Sequence, residues 1–555
     1  MRLYSLKGVM VRRKRYISLF GVLIGLFVSV AFVFAEALPE NKFGFGIEYL
    51  MPQPAGFSDI INIYSETGAS WSKFNGPGTG WNDIEPTPPV EDKHTYYWDK
   101  VDEMVLTAQG AGFRNLIVVL KSSSKWGIKK IKLRGPLERL SAMQSTVSAP
   151  PNSGQNLKYY QDYVFNFVER YDGDGRNDLP GLLYPILNYE IETEAQHGVY
   201  WKGTADEYAV LLKAAYAAVK KANPEAKVIL SGFAFFDIFD EGPRTEEEIA
   251  RLINELPSRY PRGDIRHKFG EKFRSQLDFN ARILREKDYF DLVEFHLLSY
   301  YKSIPGIVKW IRDQMAKNGY QKPIWMGDAG AVIIPCSDKK GFFSAWSTYT
   351  IFSKAPYQNG DKLFEILKTG HDKPDLSYQE VRGWFDAEQA RILVKALVLA
   401  MGEGIEGSNW WTWKDVPQLL KSNGTGRSWA LCGLIDDDNQ TKRPVFYTYK
   451  LLIQKLGGFS SVEKLTIRQD VNAYKFIIKG NPVYVIWYDS GIAQSPNQSK
   501  SISIDLSLFI GKEAIRLTPI ITARSQTDFQ ENVNISQNIL LTETPIFIME
   551  IEIGK

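Results

Sequence analysis

Two stretches of this chain carry carboxylates that could work together. The first is Asn188-Tyr189-Glu190-Ile191-Glu192-Thr193-Glu194, which follows the apolar run Leu182-Leu183-Tyr184-Pro185-Ile186-Leu187. Asn188, Glu190, Glu192 and Glu194 fall at every second position, so on a strand they share one face. Carboxylates on a buried face are costly unless they are paired or do chemistry. The second stretch is Pro323-Ile324-Trp325-Met326-Gly327-Asp328-Ala329-Gly330, where Asp328 ends an apolar run and is followed by small residues that leave room for a ligand. Two carboxyl groups on either side of a glycosidic bond are what its hydrolysis requires. Glu194 and Asp328 are therefore the candidate catalytic pair.

The elements that must position them alternate between short β-like runs and amphipathic helices, an α/β pattern with a parallel sheet. Strands are expected at 43–50, 70–75, 115–121, 188–194, 226–236, 290–300, 323–328 and 407–413. Helices are expected at 98–112, 159–171, from the capping box Thr204-Ala205-Asp206-Glu207 to Asn223-Pro224, and at 387–401. Eight strands with intervening helices over this length fit a (β/α)8 TIM barrel, with a charged helical insertion at 237–270 and a long excursion at 331–385. In such a barrel Glu194 and Asp328 both lie at the carboxyl ends of strands, where barrel enzymes keep their reactive groups. After a last helix at 446–456 the period changes to two, and the text reads as a C-terminal antiparallel β-sandwich. The expected domains are a leader at 1–35, the barrel at 40–456 and the sandwich at 457–555.

Arg12-Arg13-Lys14-Arg15 followed by the apolar run 17–34 and small residues at Ala35 and Ala37 reads as a signal peptide, with an uncleaved N-terminal anchor as the alternative. Export, to the cell envelope or beyond, is the expectation. The leader carries six basic groups and no acid, so its removal takes the net charge from +3 to −3, which is no footprint for nucleic acid. No later stretch is apolar enough to span a membrane. In an exported chain Cys336 and Cys432, both in loops on one face of the barrel, are candidates for a disulfide. Aromatics are abundant, with 14 Trp, 28 Tyr and 31 Phe, and flat rings suit either sugar faces or an ordinary core.

The segment from Tyr189 to Glu194, with Trp201 and the helix at Thr204, is similar to the acid/base segment of clan A glycoside hydrolases, particularly those near families 39 and 5. Trp81 with Ile84-Glu85-Pro86 and Tyr97-Trp98-Asp99 resembles the clan's second strand–loop–helix, Phe290-Asp291 with His296 its sixth strand, and Trp410-Trp411-Thr412-Trp413 its eighth. The resemblance implies a retaining mechanism with Glu194 as acid/base and the strand-seven residue as nucleophile. Three positions depart from the clan's pattern: Thr193 replaces an asparagine, Lys73 an arginine and Asp328 a glutamate. Aspartate withdraws its carboxylate by one methylene, about 1.5 Å, and the separation of the pair decides between retention and inversion. Three outcomes follow: a shifted backbone that restores a retaining site, an inverting site, or a site without turnover.

Lys73, Trp81, Glu192, Thr193, Trp201, His296, Tyr300, Trp411 and Trp413 are the candidate sugar-contact residues. For Glu190 and Glu192 the competing role is partner to a basic group, and for His296 a satisfied core histidine. Trp410, Trp411 and Trp413 cannot all face a ligand, because alternate strand residues point opposite ways. Asp172-Gly173-Asp174-Gly175-Arg176-Asn177-Asp178 resembles calcium-ligand spacing but lacks the sixth-position glycine and terminal glutamate of an EF-hand loop, and reads as a solvated turn. No metal or cofactor is implied. The reading is an exported glycoside hydrolase of oligo- or polysaccharides; a carbohydrate-binding barrel without turnover and an envelope-anchored structural protein are the alternatives.

Overall fold

The computed structural model describes residues 43–550, apart from 50–56, 77, 133–146, 261, 263–264, 298–299, 331–350, 353–358, 412–413, 422–429, 492–499, 511–514, 525–530 and 534–537. The expected leader, Cys336, Trp413 and the aromatics of the excursion (Phe342, Phe343, Trp346, Tyr349) lie outside the described residues. Among those described, no helix is long and apolar enough to cross a membrane.

Nine parallel strand segments form the barrel: β1 Gly44–Tyr49, β2 Trp71–Phe74, β3 Asn115–Leu120, β4 Asn188–Ile191, β5 Lys227–Ile229, β6 Phe233–Ala234, β7 Val293–His296, β8 Ile324–Ala329 and β9 Gly407–Trp410. They pair in the order β5-β4-β3-β2-β1-β9-β8-β7-β6. The two ends of that order are one stretch of chain: β5 pairs with β4, β6 with β7, and the interruption between them contains Gly232. The expected fifth strand is thus split, and the ring closes as eight staves.

Alternation sorts each strand. Phe45 and Ile47, Tyr189 and Ile191, and Val293 and Phe295 belong to the main core outside the ring. Their neighbours point inward. The lowest interior layer is apolar, with Trp71, Ile117, Ile229, Leu292 and Trp325 in one cluster. Above it the interior turns polar: Glu48, Lys73, Glu190, Glu294 and His296 are all fully buried.

Two barrel elements differ from expectation. The fourth strand stops at Ile191, and Glu192 and Glu194 adopt left-handed backbone with φ of 60° and 42°, so the every-second-residue face ends at Glu190. The helix expected at 387–401 runs Leu376–Gly402, because the Asp375 side chain accepts from Tyr378 N and starts it earlier.

Beyond the helix Pro444–Leu456, a six-stranded antiparallel sheet has the order β10-β11-β12-β17-β14-β15, and a two-stranded sheet pairs β13 with β16. Their ranges are β10 Phe459–Arg468, β11 Val471–Ile478, β12 Asn481–Tyr488, β13 Ser501–Ile504, β14 Ile515–Pro519, β15 Glu531–Val533, β16 Ile539–Thr542 and β17 Ile546–Glu550. Both faces of β12 are apolar. Tyr484 and Ile486 face the small sheet's core, while Val483, Val485 and Trp487 join the core shared with the barrel. Lys302–Asp489 and Lys395–Glu543 ion pairs, each 2.7 Å, tie the two parts at the rim of that core. Strand β10 was not expected from the sequence. It is an edge strand whose many exposed polar residues hide the period.

Candidate active site

Four strands and one loop bring the acidic residues together. Glu294 and His296, two apart on β7, point inward as alternation requires. Lys73 on β2 reaches up between them. Its Nζ lies 2.9 Å from Glu190 Oε2, hydrogen-bonds Glu294 Oε1, and lies 3.5 Å from Asp328 Oδ1. On β1, Glu48 accepts from Asn75 Nδ2 at 3.1 Å. Lys73 is the only lysine or arginine paired with this group of carboxylates among the described residues. Burial alone would lower its pKa, but Glu190, Glu294 and Glu48 outweigh burial and hold it well above the ordinary value. Burial, reinforced by the charge of Glu294, pushes Glu190 up to about 7 against the pull of Lys73. Burial also raises Glu48. For Glu294 burial is overcome by Lys73 and His296, which hold it below its usual range.

Asp328 enters this group through a bulge. On β8, Trp325 and Gly327 face the interior, and a regular strand would send Asp328 outward. Instead Met326 pairs with Ser408 and Ala329 with Trp410, so three residues of β8 span two of β9. Asp328 has φ of 37°, and a bulge of this kind re-aims a side chain. Gly327 is required beneath it, since a Cβ there would fall 1.8 Å from Glu294 Oε1. The extra residue turns the short aspartate inward. Its Oδ2 lies 3.4 Å from His296 Nδ1.

Glu194 approaches from the loop after β4. His197 N donates to Glu194 O at 2.7 Å, closing one turn of chain. Glu194 Oε1 lies 2.8 Å from His296 Nδ1 and Oε2 lies 2.8 Å from His197 Nδ1. Burial would raise the Glu194 pKa, but the two imidazole hydrogen bonds, aided by the imidazole charges, hold it well below the usual carboxylate range. For His296, burial and Lys73 pull downward, yet the hydrogen bonds to Glu194 and Glu294 prevail and raise it to about 9. One oxygen of Glu194, one of Asp328 and a ring nitrogen of His296 all lie within 4.8 Å of one another. Both carboxylates keep an opening, with the Asp328 side chain 13% exposed and that of Glu194 7%. Glu192, Glu194 and Asp328 are three of the nine non-glycine residues with positive φ among the described residues, and such strain gathers where geometry serves function rather than stability.

The remaining candidates divide. Thr193 is buried between Glu192 and Glu194. Glu192 accepts from Ser122 N at 2.6 Å, and burial raises its pKa against the hydrogen bonds from Ser148 and Ser122 and the charge of Lys121. Trp411 is buried and its N donates to Ala329 O at 3.1 Å, beside the bulge. Trp81 and Trp201 are enclosed, which differs from the sugar contact expected of them. Trp81 Nε1 donates to Glu85 Oε2 at 3.0 Å within a cluster of Trp126, Tyr160 and Tyr163, and Trp201 Nε1 donates to Thr204 O at 3.2 Å. Tyr300 packs on Tyr301 with ring centroids 4.5 Å apart, and Asp489 and Glu543 of the sandwich act on it electrostatically, so it belongs to the junction of the two parts. Cys432 is buried beside Asp415 and Arg443. In the Asp172–Asp178 turn, backbone N–H groups of Gly173, Asp174, Gly175 and Arg176 donate to the aspartates.

Sequence reasoning missed Glu48, Glu294 and His197. Glu294 was legible, because it alternates with His296. His197 had only its place three residues after Glu194.

No family model and no curated protein sequence matches the chain. Solved structures do resemble it in fold. A glucosidase from Croceicoccus marinus is 12% identical with a TM-score of 0.52, over 93% of this chain and 97% of that one. A monomeric β-xylosidase from Caulobacter crescentus is 13% identical with a TM-score of 0.51, over 92% and 97%. The catalytic domain of a GH30 xylanase C from Talaromyces cellulolyticus is 11% identical with a TM-score of 0.50, over 93% and 98%. The fold is thus shared with these three structures over nearly the whole of each chain.

Proposed function

We propose that this chain is an exported glycoside hydrolase that cleaves O-glycosidic bonds of oligo- or polysaccharides with retention of configuration. Glu194 acts as acid/base and Asp328 as nucleophile. The observation that carries the reading is the approach of Glu194 and Asp328 oxygens to within 4.8 Å. Retaining pairs are ~5–5.5 Å apart and inverting pairs ~6.5–9.5 Å apart, so the spacing supports the shifted-backbone outcome over an inverting site. The bulge at Gly327–Asp328 supplies the physical reason. A glucosidase, a xylosidase and a xylanase sharing the fold fit this class of reaction, although fold alone does not carry function.

One observation favours a sugar-binding barrel without turnover. Both oxygens of Glu194 are taken by imidazoles, which suits a carboxylate better than a proton donor. Hydrolysis of a broad glycan panel tests both readings. The proposal expects turnover that collapses in Glu194→Gln while binding persists, and first-formed product with the substrate's anomeric configuration by NMR. Binding without turnover by the wild type establishes the second reading.

A further inference from the structure

His296 is surrounded by acceptors. Nδ1 faces Glu194 Oε1 at 2.8 Å and Asp328 Oδ2 at 3.4 Å, and Nε2 faces Glu294 Oε1 at 3.3 Å. An ionised carboxylate can only accept, so each ring nitrogen is satisfied when it carries a proton. Among the described residues the opposing group is Lys73, whose Nζ lies 3.5 Å from Nε2 but which is itself engaged by Glu190 and Glu294. Glu48 acts on the ring from β1. Glu194, in turn, accepts an imidazole N–H on each oxygen. An acid/base residue held as an anion cannot protonate a leaving group unless a neighbour supplies the proton.

We infer that His296 holds that proton and hands it to Glu194 across the Nδ1–Oε1 hydrogen bond, so that the imidazole and the carboxylate together form the acid. The inference rests on the proposed hydrolysis. In the first step the Nδ1 proton passes to Glu194 Oε1 and on to the glycosidic oxygen. The bond from that oxygen to the anomeric carbon breaks with its electron pair leaving on the oxygen, and an Asp328 carboxylate oxygen bonds to the carbon. In the second step a water oxygen bonds to the same carbon as the Asp328 bond breaks, its pair returning to the carboxylate. The water's proton goes to Glu194 and back to Nδ1. One water is consumed and every side chain ends as it began. His296 acts through Glu194 and is a positioning residue, with the imidazole as its proton reserve.

The test has two arms. The chain has five histidines, few enough to follow each imidazole by NMR of ¹³C-labelled protein. The resonance lost in His296→Asn should titrate near 9 and fall by about two pH units in Glu194→Gln, where the anionic partner is gone. Titration of His296 at the ordinary ~6.5, or no response to Glu194→Gln, overturns the inference whatever hydrolysis shows. On a hydrolysed glycan, the basic limb of kcat/KM should stand near that same pH in the wild type. It should move down by at least about two units in His296→Asn, which keeps a donor but no titration. A variant that lowers kcat with the limb unmoved overturns the inference, as does a limb that follows His197→Asn instead. His296→Gln serves where the asparagine variant does not fold. A chain that cleaves nothing yet shows the high His296 titration fells the proposed function and leaves the shared proton standing.

Discussion

Gly232 and His296 are in such close contact that a Cβ on the glycine would fall 1.9 Å from Nε2 of the ring. The same glycine donates its N–H to Glu190 Oε1 at 2.9 Å. The break that splits the fifth stave therefore admits the imidazole and satisfies a buried carboxylate at once. Gly232→Ala should displace the ring and cost about 1–3 kcal/mol, as overpacking does. Urea denaturation measures it, and an unchanged midpoint would contradict the contact.

Lys73 is the fixed cation among these carboxylates. Removing one member of a buried ion pair leaves an uncompensated charge and costs about 3–5 kcal/mol. Lys73→Met should lose that much at pH 8 and distinctly less at pH 5, where Glu190, held at about 7, can protonate. Denaturation of the variant at both pH values checks the sign; equal losses would show that the cluster is not charged as described.

Stability should fall on both sides of neutrality for different reasons. The His296 pKa is raised in the fold to about 9, so its contribution is full below the unfolded value of about 6.5 and disappears as pH rises through 9. That of Glu194 is depressed, so its contribution is present above the unfolded carboxylate value of about 4.3 and is lost as pH falls below it. His296→Asn should flatten the alkaline arm of a stability–pH curve, whereas Glu194→Gln should flatten the acid arm and, by lowering the His296 pKa, much of the alkaline arm as well. Arms unchanged by either variant would rule this origin out.

The bulge makes aspartate the fitting length at position 328. Here Asp328→Glu adds a methylene to a side chain already facing Lys73 and His296, and should lower kcat by roughly ten- to a hundredfold through misplacement. Kinetics on the hydrolysed glycan decide, and a faster Asp328→Glu enzyme would show that the bulge does not compensate.

The order of strands and helices was legible because each element carries its own period: two in the core strands, 3.6 in the helices. Glu194, Asp328, Lys73 and His296 were legible as candidates because a charge in an apolar strand, or where one ends, is costly without a purpose. The sandwich strand β10 was not, since an edge strand in water needs no apolar face. What the amino-acid order determined by itself was the barrel, the C-terminal sheets and the candidacy of Glu194 and Asp328. Only the tertiary structure decided that they meet. The left-handed turns at Glu192 and Glu194 and the bulge at Asp328 are backbone departures held in place by contacts from β2, β7 and β9. His197 gained its role the same way, through the turn its N–H closes on Glu194 O. Local spacing cannot encode a hydrogen bond made between residues a hundred positions apart, because its geometry exists only after the ring has closed.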